Sequence, residues 1–135
     1  MLNKQAARLS FVLAGMLIAV FAAHAAGTVQ PQSSYFHKAK ITVNERAQAD
    51  GFLRVRVQSK NGEGHEATIA VTKHMSENKI AKTLAQALET ALGSEYKVDR
   101  DAGEHVKIRK ANRSAPDFSV EIDFNVPGFS IVLDD

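Results

Sequence analysis

The clearest periodicity in the chain lies between residues 77 and 92. Ile80, Leu84, Leu88 and Leu92 recur every four positions, Ala81, Ala85 and Ala91 widen the stripe, and Lys79, Lys82, Gln86 and Glu89 lie off it. Apolar positions three and four apart share one face of a helix. Ser76 stands where an N-cap accepts from free amides, and Glu77 where a carboxylate complements the helix dipole. Gly93 follows as the residue that lets the chain leave through a left-handed conformation. The pattern predicts an amphipathic helix over 77–92.

Elsewhere the period is two, the signature of half-buried strands. Ile41 and Val43 alternate with polar neighbours across 39–44. Leu53, Val55 and Val57 oppose Arg54 and Arg56 across 52–58. Ala67, Ile69 and Val71 repeat the pattern across 65–72. Asn61-Gly62 lies between the last two runs and tolerates the positive φ of a tight turn, so 52–72 is expected to be a hairpin. Beyond the helix, Tyr96 and Val98 begin a strand, and 104–110 returns with Val106 and Ile108 inward. Phe118, Val120, Ile122 and Phe124 alternate with Asp117, Ser119, Glu121 and Asp123 across 117–124, and Phe129, Ile131 and Leu133 form a last strand.

The expected order is β-β-β-α-β-β-β-β. This is an α+β two-layer sandwich, with one amphipathic helix packed on a mostly antiparallel sheet. Outward positions of 105–109 are basic and those of 117–123 largely acidic. Antiparallel pairing of these two strands would set opposite charges across from one another, at about 0.2–1 kcal/mol per pair.

The N-terminus changes the electrostatics. Lys4 and Arg8 precede an apolar run from Leu9 to Phe21, and Ala23-His24-Ala25 follows. This is the layout of a secretory signal peptide with an A-x-A cleavage site, and the run falls short of the roughly 20 residues of a spanning helix. The chain therefore divides into a signal peptide over 1–25, a flexible N-terminal segment over 26–38 and a single α+β domain over 39–135. The expected destination is outside the cytoplasm, periplasmic or secreted, with no stable membrane anchor after cleavage. Loss of Lys4 and Arg8 would bring the 17 basic side chains level with the 15 acids. A neutral chain with no basic stripe is not expected to bind nucleic acid. The absence of cysteine excludes disulfides, thiol nucleophiles and cysteine metal sites.

Candidate chemistry is sparse. Glu63, His65 and Glu66 cluster at the first hairpin's turn, and two carboxylates with an imidazole could hold a divalent metal or serve as an acid/base set. Established ligand spacings such as H-E-x-x-H are missing, and His37, His74 and His105 are scattered. An exposed polar hairpin tip is the expected placement, with no metal and no cofactor. Nucleophile elbows and phosphate loops are also missing.

From Ser76 to Lys110, an Ala/Leu-rich helix leads through Leu92-Gly93 to Tyr96-Lys97-Val98 and His105-Val106-Lys107-Ile108. This stretch resembles the helix-plus-hairpin modules of periplasmic BON-type domains and of flagellar hook or phage tail subunits. The glycine that follows the second strand in BON domains is absent after Ile108. The resemblance implies a binding or structural role.

The composite expectation is an exported, non-catalytic domain that binds a protein or an envelope polymer, or associates with itself. Two alternatives are a periplasmic carrier or inhibitor with an apolar pocket beneath the helix, and a small metal-dependent hydrolase using the Glu63-His65-Glu66 tip. The expected interaction surface is the terminal strand, with Phe129, Ser130, Ile131 and Leu133, because a terminal strand tends to be an open edge.

Overall fold

In the computed structural model, which describes residues 27–29, 35–101, 103–127 and 130–134, the helix occupies Glu77–Leu92 (α1). Ser76 caps it, its side chain accepting from Lys79 N at 3.3 Å, and Gly93 ends it at φ 68°. The proposed signal peptide, much of the 26–38 segment and Phe129 lie outside the described residues.

The strands are β1 (Gly27–Val29), β2 (Lys38–Val43), β3 (Gly51–Ser59), β4 (Gly64–Val71), β5 (Tyr96–Asp101), β6 (His105–Lys110), β7 (Phe118–Phe124) and β8 (Ile131–Asp134). They divide into two antiparallel four-stranded sheets, ordered β1-β7-β3-β4 and β5-β6-β2-β8. The α+β class is as expected, and among the described residues one helix packs on an antiparallel framework. The strands, however, form two sheets. β1 is an addition, pairing its backbone with β7 inside the stretch the sequence assigns to a flexible segment.

The expected hairpin is present, with Leu53 opposite Ile69 and Val57 opposite His65. The expected pairing of 105–109 with 117–123 is not. β6 lies between β5 and β2, and β7 lies between β1 and β3, in different sheets. Opposite charges do face one another, but through other partners. Arg54 sits across from Asp123 and Arg56 from Glu121 in the first sheet, while Lys107 sits across from Asp99 in the second. Alternation dictates which face a residue takes, not which strand lies beside it.

Each sheet buries one face. Leu53, Val55, Val57, Ile69, Phe118, Val120 and Ile122 point inward from the first, and Ile41, Val43, Val106, Ile108 and Ile131 from the second. With Ile80, Leu84, Leu88 and Leu92 of α1 they form one continuous core. The helix lies against β4 of the first sheet and against β5, β6 and β2 of the second. It therefore closes one side of the sandwich, while β1 and β8 approach each other at the other side. Ser59 Oγ and Tyr96 Oη, 2.6 Å apart in the interior, tie β3 to β5, and Tyr96 also donates to the Pro116 carbonyl at 3.0 Å. Among the described residues no helix is long and apolar enough to cross a membrane.

Candidate functional site

Among the described residues β8 is the edge strand of the second sheet, hydrogen-bonded to β2 along one side only. Ile131 sits opposite Val43 and Leu133 opposite Ile41 on the inner face. Ile131 is buried and Leu133 half-buried. Between them Val132 points outward and is 40% exposed. Ser130 is exposed too, and its carbonyl accepts from Asn44 N at 3.0 Å, which fixes the chain before the strand begins. Of the other edges, β4 and β5 lie beneath α1. The open side of the sandwich thus belongs to β8 and β1.

At the hairpin tip Glu63, His65 and Glu66 do not converge on one point. His65 has the inward parity of Ala67 and Ile69, and its side chain is only 16% exposed. It packs edge-on against the Tyr96 ring, with centroids 6.5 Å apart. Glu66 points the other way, accepting from Arg56 Nε at 3.1 Å. Glu63 comes within 3.6 Å of His65 Nε2, beyond hydrogen-bonding length, and that buried nitrogen has no hydrogen-bond partner. The expectation of an exposed tip is corrected for His65, which joins the rim of the core. The cause is the two-residue strand period, which sends His65 and Glu66 to opposite faces. His105 bonds Thr42 Oγ1 at 2.8 Å, His37 bonds Asp117 at 2.9 Å, and His74 occupies a left-handed turn position at φ 71°. Among the described residues no three His, Asp or Glu side chains gather as a ligand set.

The outer face of the first sheet is a charge network. Arg56 reaches Glu66, Glu121 and Asp123, and Arg54 reaches Asp123 at 3.0 Å. The hydrogen bond to Glu66 raises the Arg56 pKa above its ordinary value, with the charges of Asp123 and Glu121 in support. These groups satisfy one another.

The second sheet is different at one end, where the chain from Tyr35 to Lys38 crosses from one sheet to the other. Phe36 bridges to Phe118 of the first sheet, and the His37 carbonyl accepts from Lys110 N. Here lie two adjoining surface clefts. Tyr35, Phe36, His37, Lys38 and Arg109 line one of about 510 Å³. His37, Lys110, Asn112 and Arg113 line the other, of about 420 Å³. The Asn112 side chain accepts from the Ser114 and Ala115 amides, each at 3.0 Å, and this turn holds exposed Arg113 at the rim. A local basic cluster therefore exists, contrary to the sequence expectation. Arg109, Lys110 and Arg113 are near one another in the sequence, and the fold adds Lys38 and Lys97 by pairing their strands with β6.

Asp117 anchors the floor of this region, accepting from Lys110 Nζ and from His37 Nδ1, both at 2.9 Å. The Lys110 hydrogen bond, aided by the charges of His37 and Lys110, holds the Asp117 carboxyl below its ordinary 3.8 despite the opposing effect of burial. A depressed carboxylate contributes stability above its unfolded pKa and loses it as pH falls through the folded value. Asp117→Asn should therefore shrink the drop in thermal midpoint between about pH 5 and about pH 3. An equal drop in the parent and the variant would show that this carboxylate is not linked to folding.

No known protein family matches the chain, and no curated protein matches it. Among solved structures, the D2–D3 domains of the flagellar cap protein FliD from Escherichia coli align over 83% of this chain at 10% identity, with a TM-score of 0.26. A D1–D2–D3 structure of the same protein aligns over 83% at 13% identity, with a TM-score of 0.23. This chain covers 60% of the first of those chains and 35% of the second. Scores this low do not establish a shared fold.

Proposed function

We propose that the protein is an exported, non-catalytic binding domain whose partner docks by adding a strand to β8. Export rests on the signal-peptide layout of residues 1–25. The observation that carries the docking surface is the one-sided pairing of β8, together with the exposure of Val132 on it. An unpaired strand edge offers a row of amide donors and carbonyl acceptors, so a partner strand gains main-chain hydrogen bonds whatever its sequence. The inner side chains Ile131 and Leu133 anchor β8 to the core and leave that edge rigid.

A second copy is the simplest occupant. Two β8 strands can pair antiparallel about a two-fold axis, each presenting the same surface to the other. Two substitutions on the outer side, Ser130→Lys and Val132→Lys, place charge along the edge without touching the inner face. Lysines at strand edges discourage pairing. Sedimentation of the parent should show a dimer and that of the double variant a monomer. Stability should change by no more than about 0.5 kcal/mol, as is usual for surface positions. The same association state for both proteins would remove β8 as the working edge.

A further inference from the structure

The outer face of the second sheet carries a row in which like charges oppose one another. Lys38 of β2 and Lys97 of β5 both lie directly across from Arg109 of β6. Neighbouring strands stand about 4.8 Å apart, so the three cations span roughly 10 Å. Like charges placed directly opposite destabilise a sheet. Arg109 is partly relieved by Asp99, which its Nε meets at 2.8 Å. Lys38 and Lys97 form no ion pair among the described residues, and neither does Glu95, two positions before Lys97. The next row is neutralised instead: Lys107 meets Asp101 at 2.7 Å and Lys40 approaches Asp134 at 3.8 Å.

The unneutralised row borders the clefts described above. Exposed Arg113 adds another cation at their rim. Tyr35 stands at the mouth of the larger cleft, 49% exposed, with Lys60 Nζ 5.6 Å from its ring centre. An exposed aromatic ring beside unpaired cations has the composition of a site for a ligand that is part apolar ring and part anion.

We propose that this end of the second sheet binds an acidic polysaccharide. Carboxylate or sulfate groups pair with Lys38, Arg109, Lys97 and Arg113, and the apolar face of a sugar ring lies against Tyr35. Charge distribution favours a sparsely charged polymer over a nucleic acid strand. Nucleic acids bind by neutralising many successive phosphates. Asp99, Asp101 and Asp134 share this sheet face and Asp117 is paired with Lys110, so phosphates running on from the cationic row would meet carboxylates. The formal charge of the whole chain is only +2, too small for strong long-range attraction of a polyelectrolyte. A polysaccharide whose charged sugars are separated by neutral ones fits a local patch. This inference rests on the reading of the protein as a binding domain, but not on the β8 edge.

The test measures binding of the purified protein to hyaluronate and gellan, in both of which neutral sugars separate the charged ones, and to neutral dextran and a single-stranded oligothymidylate, each at several salt concentrations. Binding to either acidic polysaccharide, absent for dextran and weakened by salt, is the expected result. The paired substitution Lys38→Gln and Lys97→Gln should weaken it about tenfold, whereas Lys82→Gln on the helix should not. The thermal midpoint of the paired variant should equal or exceed that of the parent, because repulsion within the row is removed. Tyr35→Ala should weaken binding with little change in salt dependence. The Ser130→Lys, Val132→Lys variant should bind these polysaccharides normally, so failure of strand docking and failure of this site are told apart. No binding to either acidic polysaccharide, equal loss with Lys82→Gln, or tighter binding of oligothymidylate would each overturn the proposal.

Discussion

Phe118→Ala should destabilise the protein by about 3–5 kcal/mol, the range for truncating a buried aromatic side chain. Phe118 is fully buried and the bulkiest of the fully buried residues. It stands at the first residue of β7, where three structural devices meet. Its ring lies edge-on to Tyr96 of the second sheet, with centroids 5.2 Å apart, and tilted against Phe36 at 6.4 Å. Its backbone exchanges hydrogen bonds with Phe36, at 2.7 and 3.2 Å, which pins the crossing segment to the first sheet. Removal of the ring takes away the closer of the two edge-on contacts of the Tyr96 side chain and leaves that of His65. Tyr96 is held by Ser59 and Pro116, so it cannot swing freely into the space. The cavity should persist, and persistence is what places a truncation high in its range. A urea titration of Phe118→Ala, alongside the half-buried neighbour Ser119→Ala as a reference, measures the difference. A loss below about 1 kcal/mol, the size typical of an ordinary point mutation, would mean that the junction repacks and that Phe118 does not hold the sheets together.

That junction also marks the limit of what the sequence discloses. Local features were legible because their causes are local. The helix from Glu77 to Leu92 follows from a four-residue apolar spacing, a serine cap and a glycine stop. The β3–β4 hairpin follows from two alternating runs around Asn61-Gly62. Inward and outward positions on β7 follow from strict alternation. Strand neighbours beyond the two hairpins were not legible, because those pairings join residues far apart in the chain. The return of 104–110 beside β5 was legible as a second hairpin, but nothing in residues 105–109 indicates that β2, rather than β7, will take their other side. The division into two sheets is a consequence of the same non-local choice.

The candidate surfaces split along the same line. The β8 run was legible as a strand from its alternation, and the sheet order places it at an edge. The basic cluster was legible only in part: Arg109, Lys110 and Arg113 stand close together in the sequence with no acid between them, but Lys38 and Lys97 come from other strands, and the pairing that sets them across from Arg109 is non-local for Lys38. The His65 turn misled in the opposite direction. Its neighbours Glu63 and Glu66 are close in sequence, yet the strand turns Glu66 toward Arg56 and tucks His65 against Tyr96. Proximity along a strand does not amount to proximity of side chains.

Leu88→Ala should cost about 2–5 kcal/mol, and Lys82→Ala, on the opposite face of the same helix, should change stability little. Leu88 is buried almost completely, between fully buried Leu84 and nearly buried Leu92 along one stripe. The helix has only 16 residues, near the length at which an isolated helix in water is marginal, so tertiary packing must supply its stability. Here the packing is unusual in reaching both sheets, since α1 touches β4 of one and β2, β5 and β6 of the other. A cavity at Leu88 therefore weakens the element that closes one side of the sandwich. No second helix is present among the described residues to compensate. Leu→Ala also carries a small gain in helix propensity, so any measured loss understates the packing contribution. Chemical denaturation of the two variants, analysed for midpoint and slope, separates the outcomes. A lower midpoint with unchanged slope for Leu88→Ala, and neither change for Lys82→Ala, is expected. Equal effects of the two substitutions would mean that α1 is not held by its apolar stripe. A reduced slope for Leu88→Ala would mean instead that the two sheets unfold separately once the helix is loosened, and that the single core is two cores coupled by α1.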